Sequence, residues 1–592
     1  MSFCITNVKY NPLGDRAKII SMLSLLNIVC EMLIFVASTK SSSQFQVDCI
    51  MQDTEMLESI TQSQYLVLTP LAIRHMMLFN MEVTMSVAMI NTRAAIGVQA
   101  PAVSVEAHIS TGLPGFTLVG LPEATVKEAK DRVRSAIINC GFTFPAKRIT
   151  VNLAPADLPK EGGRYDLPIA IAILIASEQL SATSVEGLEL LGELGLSGAL
   201  RRIQGAIPAA MAAQHHQRKL IAPEENEEEL CLLGEQQPHL IANHLLQVCD
   251  FLSGESPLLP PKVSQLSHQS PNTKDMRDII GQEQARRALE IAATGGHNLL
   301  LLGPPGTGKT MLASRLNSIL PPLTTEEALE SAAVASLVHQ STTGQSCYQR
   351  PFRTPHHSAS MAALIGGGSL PRPGEISLAH NGVLFLDELP EFERRVLDAL
   401  REPLESGEAC ISRALAKVTF PARVQLVAAM NPSPTGHYKG IHARTPPQQI
   451  LKYLSRLSGP FLDRFDLSIE VPLLPAGVLS IQKRVGESSV VIRQRVCLAR
   501  EKQYQRSGKL NAHLAGKEMD RVCSLSQEDA AFLEQALEKM GLSVRAWHRI
   551  LKVARSIADL AQSDNISRIH IAEALSYRSM DRLIQHLHQA LQ

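Results

Sequence analysis

The chain has 592 residues, of which 45% are hydrophobic and 19% charged, and this composition suits a soluble globular protein with several domains. Lys and Arg together number 57, as do Asp and Glu, which excludes a globally basic or acidic protein, so any site for a polyanion must be local. The ten cysteines are scattered without a CxxC pair, which excludes a disulfide framework and a cysteine-rich zinc site. They predict reduced, buried thiols in a cytoplasmic protein.

Residues 1–84 form an N-terminal extension that contains one apolar run, Ile19 to Ala37. Basic residues precede this run, as in a signal anchor, but its interior carries Glu31, and a charge near the centre of a bilayer costs about 3 kcal/mol. Two interpretations stay open. We favour an extension upstream of the folded domains, with Met85 as the true start, over a genuine membrane anchor. We expect no membrane segment in residues 85–592.

Residues 85–252 alternate between strand-like and helix-like segments and predict a first domain of mixed structure. The predicted strands are 103–109, 116–119 and 148–153, and the predicted helices are 124–140 and 167–177. Residues 253–275 are rich in Ser and Pro, which predicts a linker.

The next segment, 276–473, contains a phosphate-binding loop. The apolar strand 298–302 precedes the glycine-rich stretch 303–310, and the helix-like segment 311–316 follows it. In this order of elements the glycines turn backbone N–H groups toward phosphate oxygens, and the helix N-terminus adds its positive dipole end. The pattern predicts that Lys309 reaches the β- and γ-phosphates of ATP and that the hydroxyl of Thr310 ligates Mg²⁺. The predicted nucleotide-binding residues are Gly303, Pro304, Pro305, Gly306, Thr307, Gly308, Lys309, Thr310 and Met311.

Two further apolar strands in this segment end in polar residues. The first ends in Asp387 and Glu388, which predicts Mg²⁺ binding by Asp387 and polarisation of the attacking water by Glu388. The second ends in Asn431, which fits a sensor between the γ-phosphate and that water. The structural alternatives are exposed acids at the end of a strand, and a turn-forming Asn before Pro432.

Arginines downstream predict contacts to phosphate across a subunit interface. Arg464 is flanked by acids, and in ring ATPases such an arginine reaches the neighbouring subunit's γ-phosphate. The alternative for Arg464 is an ion pair with Asp463 or Asp466. The last segment, 474–592, is helical by pattern and predicts a lid, in which Arg545 is the candidate second sensor and Arg549 its rival.

These residues together resemble the ComM/YifB family, within the Mg-chelatase-like AAA+ ATPases. The resemblance runs from Met85 to the C-terminus and is most specific in two stretches, RTPHHSAS from Arg353 and the glycine-rich segment 366–382. It implies an α/β fold: a P-loop AAA+ core with a helical lid, preceded by an α+β Lon-protease-like (ribosomal S5 type-2-like) domain. Residues 160–168 hold no serine where active Lon-type proteases place their nucleophile, so we expect no peptidase activity.

The resemblance also implies a hexameric ring with DNA in its pore. Residues 340–375 match the pore insert of the clade, and 409–420 match a hairpin whose basic residues are Arg413 and Lys417. Between Arg394 and Arg464 eleven Lys and Arg stand against five Asp and Glu, so this segment is locally basic. A basic group in the first domain would serve as a DNA-binding platform or as a soluble helix face: Lys127, Lys130, Arg132, Arg134, Lys147 and Arg148. The wider family often carries cysteines after the sensor Asn; this chain has only His437 and His442 there, so we predict no zinc.

The function most consistent with these residues is an ATP-driven DNA motor that uses ATP and Mg²⁺. The family resemblance points to branch migration of recombination intermediates during natural transformation. Two alternatives stay open: a Mg-chelatase motor subunit that drives Mg²⁺ into a porphyrin, and an ATP-dependent protein remodeller.

Overall fold

The computed structural model describes residues 87–234, 238–262, 274–338, 347–413, 416–438, 444–475 and 486–591. Residues from Met85 to Gln592 form one compact unit. The predictions for residues 1–84, and the part of the pore insert before Cys347, lie outside the described residues.

The first domain is built on a four-stranded sheet in the order β1-β2-β4-β3, in which β3 and β4 are parallel and the other pairs antiparallel. A second sheet, β5-β8-β9, is parallel. Alternation of apolar and polar residues along β2 buries Val103, Val105 and Ala107 against the apolar helix α3. The elements are β1 (Val87–Arg93), β2 (Ala102–Ser110), β3 (Gly115–Val119), α1 (Ala124–Lys127), α2 (Ala129–Asn139), β4 (Arg148–Ala154), α3 (Asp166–Ala176), β5 (Leu188–Leu190), β6 (Glu193–Leu194), β7 (Leu200–Arg201), α4 (Ala206–His215), β8 (Lys219–Pro223), α5 (Glu227–Leu230), β9 (Leu240–Ala242) and α6 (Leu245–Leu252).

Three details of the first domain differ from the sequence predictions. The predicted helix 124–140 is two helices that meet at Glu128. Residues 253–262 of the predicted linker pack on this domain, because the carbonyl of Leu259 accepts a hydrogen bond from the N–H of Ile241 and the carbonyl of Lys262 accepts one from the thiol of Cys231. The prediction that Arg132 belongs to a DNA-facing basic group is wrong, because its guanidinium lies 2.7 Å from the buried carboxylate of Asp166.

The central domain is a five-stranded parallel sheet in the order β11-β14-β17-β10-β18. Every residue of β10, β14 and β17 is buried, as expected of continuous apolar runs with helices on both faces of the sheet. The elements are α7 (Glu283–Gly295), β10 (Leu299–Leu302), α8 (Lys309–Ile319), α9 (Thr325–Ser336), β11 (Phe352–Arg353), α10 (Met361–Leu364), β12 (Gly366–Gly367), β13 (Arg372–Pro373), α11 (Glu375–Leu378), β14 (Val383–Leu386), α12 (Arg394–Ala399), α13 (Arg401–Ser406), β15 (Glu408–Ser412), β16 (Lys417–Pro421), β17 (Gln425–Met430), α14 (Pro447–Leu454), α15 (Gly459–Leu462) and β18 (Leu467–Glu470).

The C-terminal part is helical, as predicted, but it is not a separate body. Its helices are α16 (Ser489–Ser507), α17 (Gly516–Val522), α18 (Gln527–Lys539), α19 (Val544–Leu560), α20 (Arg568–Ser576) and α21 (Ser579–Gln589). Apolar residues of α16 and α19 share one buried cluster with one face of the central sheet. The last helix, α21, returns to the opposite face, where Met580, Leu583 and Leu587 pack with residues of β10 and β14.

The first domain contacts both elements that the family resemblance assigns to the pore. The strands β15 and β16 pair as an antiparallel hairpin, and its apolar residues Ile411 and Val418 pack against Ile96 and Val98 of the first domain. Within the insert, Arg372 forms an ion pair of 3.2 Å with Glu161. One thiol of the hairpin, Cys410, is exposed, because the alternation along β15 places it on the outward face, so the prediction of buried cysteines is wrong there.

Candidate nucleotide-binding and hydrolysis site

A cleft of about 1160 Å³ opens where three parallel strands of the central sheet end. Each strand is followed by a predicted functional segment: β10 by the phosphate-binding loop, β14 by Asp387 and Glu388, and β17 by Asn431. The carboxyl edge of a parallel sheet is where such folds bind ligands. The parallel topology thus brings residues up to 128 positions apart, from Gly303 to Asn431, to one edge.

The glycines of the loop are required by its geometry. Gly306 and Gly308 adopt left-handed φ angles of 78° and 83°, which side chains adopt at a cost. A Cβ on Gly303 would lie 2.4 Å from the carbonyl oxygen of Val471, so the close approach of these backbones excludes any side chain there. The helix α8 then begins at Lys309, and its N-terminal N–H groups face the cleft as an anion site.

Lys309 joins the loop to Asn431. Its side chain is 9% exposed, and its Nζ donates hydrogen bonds of 2.8 Å to each carbonyl of Gly303 and Pro304 and one of 3.1 Å to Oδ1 of Asn431. Burial lowers the pKa of Lys309, although the nearby carboxylate of Asp387 opposes that shift. The amine and the amide therefore converge on the space above the loop.

Thr310 and Asp387 supply the oxygens for a metal ion. The hydroxyl of Thr310 donates a 2.6 Å hydrogen bond to Oδ2 of Asp387. Magnesium prefers oxygen ligands of this kind together with phosphate oxygens, so the residues present fit Mg²⁺·ATP.

Glu388 projects into the same cleft from a left-handed backbone conformation, with φ of 52°. Its carboxylate is 61% exposed and lies 3.2 Å from Nδ1 of His357. His357 comes from the segment before α10, at the start of the insert, and its ring packs edge-on against Phe392. The sequence analysis identified His357 only as part of a family motif, not as a contact of Glu388.

The sequence analysis also missed a second wall of the cleft, formed by α14 and the residue pair after it. Gln449, Lys452, Tyr453 and Arg456 line the cleft together with Glu391. The guanidinium of Arg456 forms an ion pair of 3.3 Å with Glu391 and lies 5.7 Å from the ring centre of Tyr453. Burial and the charge of Glu391 raise the pKa of Tyr453 to about 12. The i, i+4 spacing of Lys452 and Arg456 on a helix after the sensor Asn was the available signal.

The predicted arginine sensors do not line this cleft in the described chain. Arg464 pairs with Glu405 rather than with a neighbouring acid, so the alternative partners considered from the sequence are wrong. Arg545 is 75% exposed and lies 3.5 Å from Asp463, whereas Arg549 is 12% exposed and lies 2.8 Å from the same carboxylate. These arginines therefore form one group around Asp463 and Arg464, separate from the chain's own nucleotide cleft.

Among the described residues, no group of three His, Cys, Asp or Glu is placed to hold a metal ion. His437 is described and His442 lies outside the described part of the chain, so the prediction of no zinc site stays a prediction. In the same described ranges no helix is both long enough and apolar enough to cross a membrane.

Three family models match the chain. One described as "Magnesium chelatase, subunit ChlI" matches residues 275–479, which contain the cleft. "Subunit ChlI of Mg-chelatase" matches residues 105–226, and "Magnesium chelatase, subunit ChlI C-terminal" matches residues 486–578.

The chain is similar over most of its length to curated bacterial proteins. It is 62% identical over 507 residues to the competence protein ComM of Haemophilus influenzae, covering 85% of this chain and 99% of that protein. It is 62% identical over 507 residues to YifB of Escherichia coli, described as uncharacterized, covering 86% of this chain and all of that protein. The magnesium-chelatase 38 kDa subunit of Cereibacter sphaeroides is 26% identical over 337 residues, which is 51% of this chain and 90% of that subunit.

Proposed function

The chain belongs to the ComM/YifB family of Mg-chelatase-like AAA+ ATPases, and from this premise we propose that it is an ATP-driven DNA motor that assembles as a hexameric ring. The observation that carries the proposal is the cleft in which Lys309, Asp387 and Asn431 converge at the ends of three strands. This arrangement supports ATP hydrolysis.

In the proposed reaction each residue of the cleft has a separate task. Lys309 and the loop N–H groups bind the phosphates, and Thr310 and Asp387 hold Mg²⁺, which neutralises charge on the phosphate oxygens. Glu388 accepts a proton from the attacking water, and Asn431 orients that water against the γ-phosphate. The leaving group is ADP, and the products are ADP and inorganic phosphate.

The position of the arginines supports a subunit interface. The chain's own cleft contains neither Arg464 nor Arg545, and both lie near Asp463 on another face of the molecule. An arginine supplied by a neighbour stabilises the transition-state charge in many phosphoryl-transfer enzymes. We propose that Arg464 acts in this way and that Arg545, the more exposed of the two candidates, is the second sensor.

The contacts of the insert and the hairpin support DNA as the polymer that is moved. Arg413 and Lys417 are exposed on the hairpin, and residues of the first domain brace its apolar face. The insert also reaches the cleft, because His357 contacts Glu388. A change at the γ-phosphate can therefore shift the elements proposed to contact DNA. In the first domain Lys127, Lys130, Arg134, Lys147 and Arg148 are exposed and are the proposed platform for DNA.

The name of the Haemophilus relative supports a role in competence, and we propose branch migration of recombination intermediates. The test is ATP turnover by the full chain alone and with single-stranded, forked and four-way DNA, together with strand displacement from the four-way substrate. We expect stimulation by branched DNA and ATP-dependent displacement. Turnover that no DNA stimulates, with no displacement, would contradict the proposal and favour the chelatase or protein-remodelling alternative.

A further inference from the structure

A second cavity, of about 250 Å³, lies at the opposite edge of the central sheet from the nucleotide cleft. Gly296, Gly382 and Val424 line it, and these residues stand just before β10, β14 and β17 begin. Its other wall is the end of α16 and the turn that follows, with Arg500 and Tyr504. Because the strands are parallel, this cavity shares no lining residue with the nucleotide site.

The lining of this cavity is strongly cationic. Four Lys or Arg side chains face one carboxylate: Arg350, Arg423, Arg500 and Lys509 against Glu327. That carboxylate is already committed, because Glu327 lies 2.9 Å from Arg350 and accepts a hydrogen bond from the N–H of Thr324. Lys509 pairs at 2.8 Å with Glu518, outside the cavity.

Two of the four cations, Arg423 and Arg500, have no acidic partner within the described part of the chain. Arg500 is 7% exposed, yet the hydrogen bond its guanidinium makes there is a single one, 2.8 Å from Nε to the carbonyl of Ala293. Burial, with the charge of Arg350, lowers the pKa of Arg500 to about 10, so this buried group is still charged at neutral pH. A buried charge without a counterion is costly and calls for an anion.

We infer that this cavity is a binding site for a phosphate-type oxyanion, held by Arg500 and Arg423. Guanidinium groups present forked N–H donors that match phosphate oxygens and supply the compensating charge. Arg423 stands at the base of the hairpin, two residues after β16 ends, so an anion bound here would link the hairpin to the helical part. The phosphate has two chemical sources, free inorganic phosphate and a phosphate of the DNA backbone.

The test uses the full chain with its nucleotide cleft filled by saturating ADP and Mg²⁺, so that phosphate does not report on Lys309. The variants are Arg423→Gln, an exposed position, and Arg500→Met, a buried one; Arg521→Gln, an exposed arginine of α17, is the matched charge control. The thermal unfolding midpoint is followed while inorganic phosphate replaces chloride at constant ionic strength. A bound anion raises this midpoint with saturation. We expect the rise in the wild type and in Arg521→Gln, and its loss in the other two variants.

A second measurement separates the sources of phosphate. The DNA affinity of the same proteins is followed against salt concentration, where each lost phosphate contact reduces the log–log slope by about 0.7–0.9. Loss of the phosphate effect with an unchanged slope identifies a free anion. A reduced slope in Arg423→Gln and Arg500→Met identifies DNA phosphate, and this outcome rests on the proposed DNA motor. If the protein binds no DNA, the phosphate titration still tests the cavity. An equal phosphate response in all four proteins, with equal DNA slopes where DNA binds, would overturn the inference, and Arg423→Gln alone decides it if Arg500→Met does not fold.

Discussion

The sharpest test of the hydrolysis site is Glu388→Gln. The carboxylate is 61% exposed and its contact is with His357 at 3.2 Å, so the substitution should change the free energy of unfolding by no more than about 0.5 kcal/mol. The bond between Thr310 and Asp387 does not involve this side chain, and Mg²⁺·ATP binding should persist. An amide accepts no proton from water, so the variant loses the general base. A positioned base contributes about 10²–10⁴-fold, which corresponds to about 3–5 kcal/mol of the activation barrier.

The assay measures phosphate release at saturating ATP and, separately, the equilibrium binding of a fluorescent ATP analogue. We expect turnover to fall by at least about a hundredfold while the ATP dissociation constant stays within about threefold. Glu391→Gln is the matched control, because Glu391 lines the same cleft but pairs with Arg456. A partly exposed ion pair contributes about 0–1 kcal/mol, so this control should lose at most about fivefold. Turnover by Glu388→Gln above a tenth of the wild-type rate would refute the assigned role.

Three further predictions follow from the same geometry. His357→Ala should lower kcat about two- to tenfold with little change in ATP affinity, since one hydrogen bond that positions Glu388 is lost, whereas His356→Ala should change kcat little; equal effects would count against a positioning role. Arg464→Ala should lower kcat by about 10³-fold and leave ATP binding intact, and mixing it with Lys309→Ala subunits should restore part of the turnover; no gain on mixing would exclude action across an interface. Leu583→Ala, at a side chain 3% exposed in the last helix, should lower the free energy of unfolding of the ATPase core by about 2–5 kcal/mol in chemical denaturation; an unchanged midpoint would mean that this helix is not part of the core.

The sequence by itself determined the parts of this protein that local order encodes. An apolar strand, a glycine loop and a helix in succession predicted the phosphate-binding loop, and the strands ending in Asp387 and Asn431 predicted the two other sides of the cleft. Such segments are informative because a buried parallel strand needs a continuous apolar run and presents its next residues at the carboxyl edge of the sheet.

Tertiary structure alone decided which distant side chains meet. Arg464 contacts Glu405, 59 positions away, although acids flank it in the sequence, and Tyr453 joins the nucleotide cleft from a helix that carried no recognised motif. The cationic cavity collects residues from the starts of three strands and from the end of α16, and the last helix returns to the sheet that begins the central domain. These contacts depend on how the chain is connected in space. Spacing along the sequence constrains neighbours within a helix or a strand, but the packing of the whole domain sets the distance between segments a hundred residues apart.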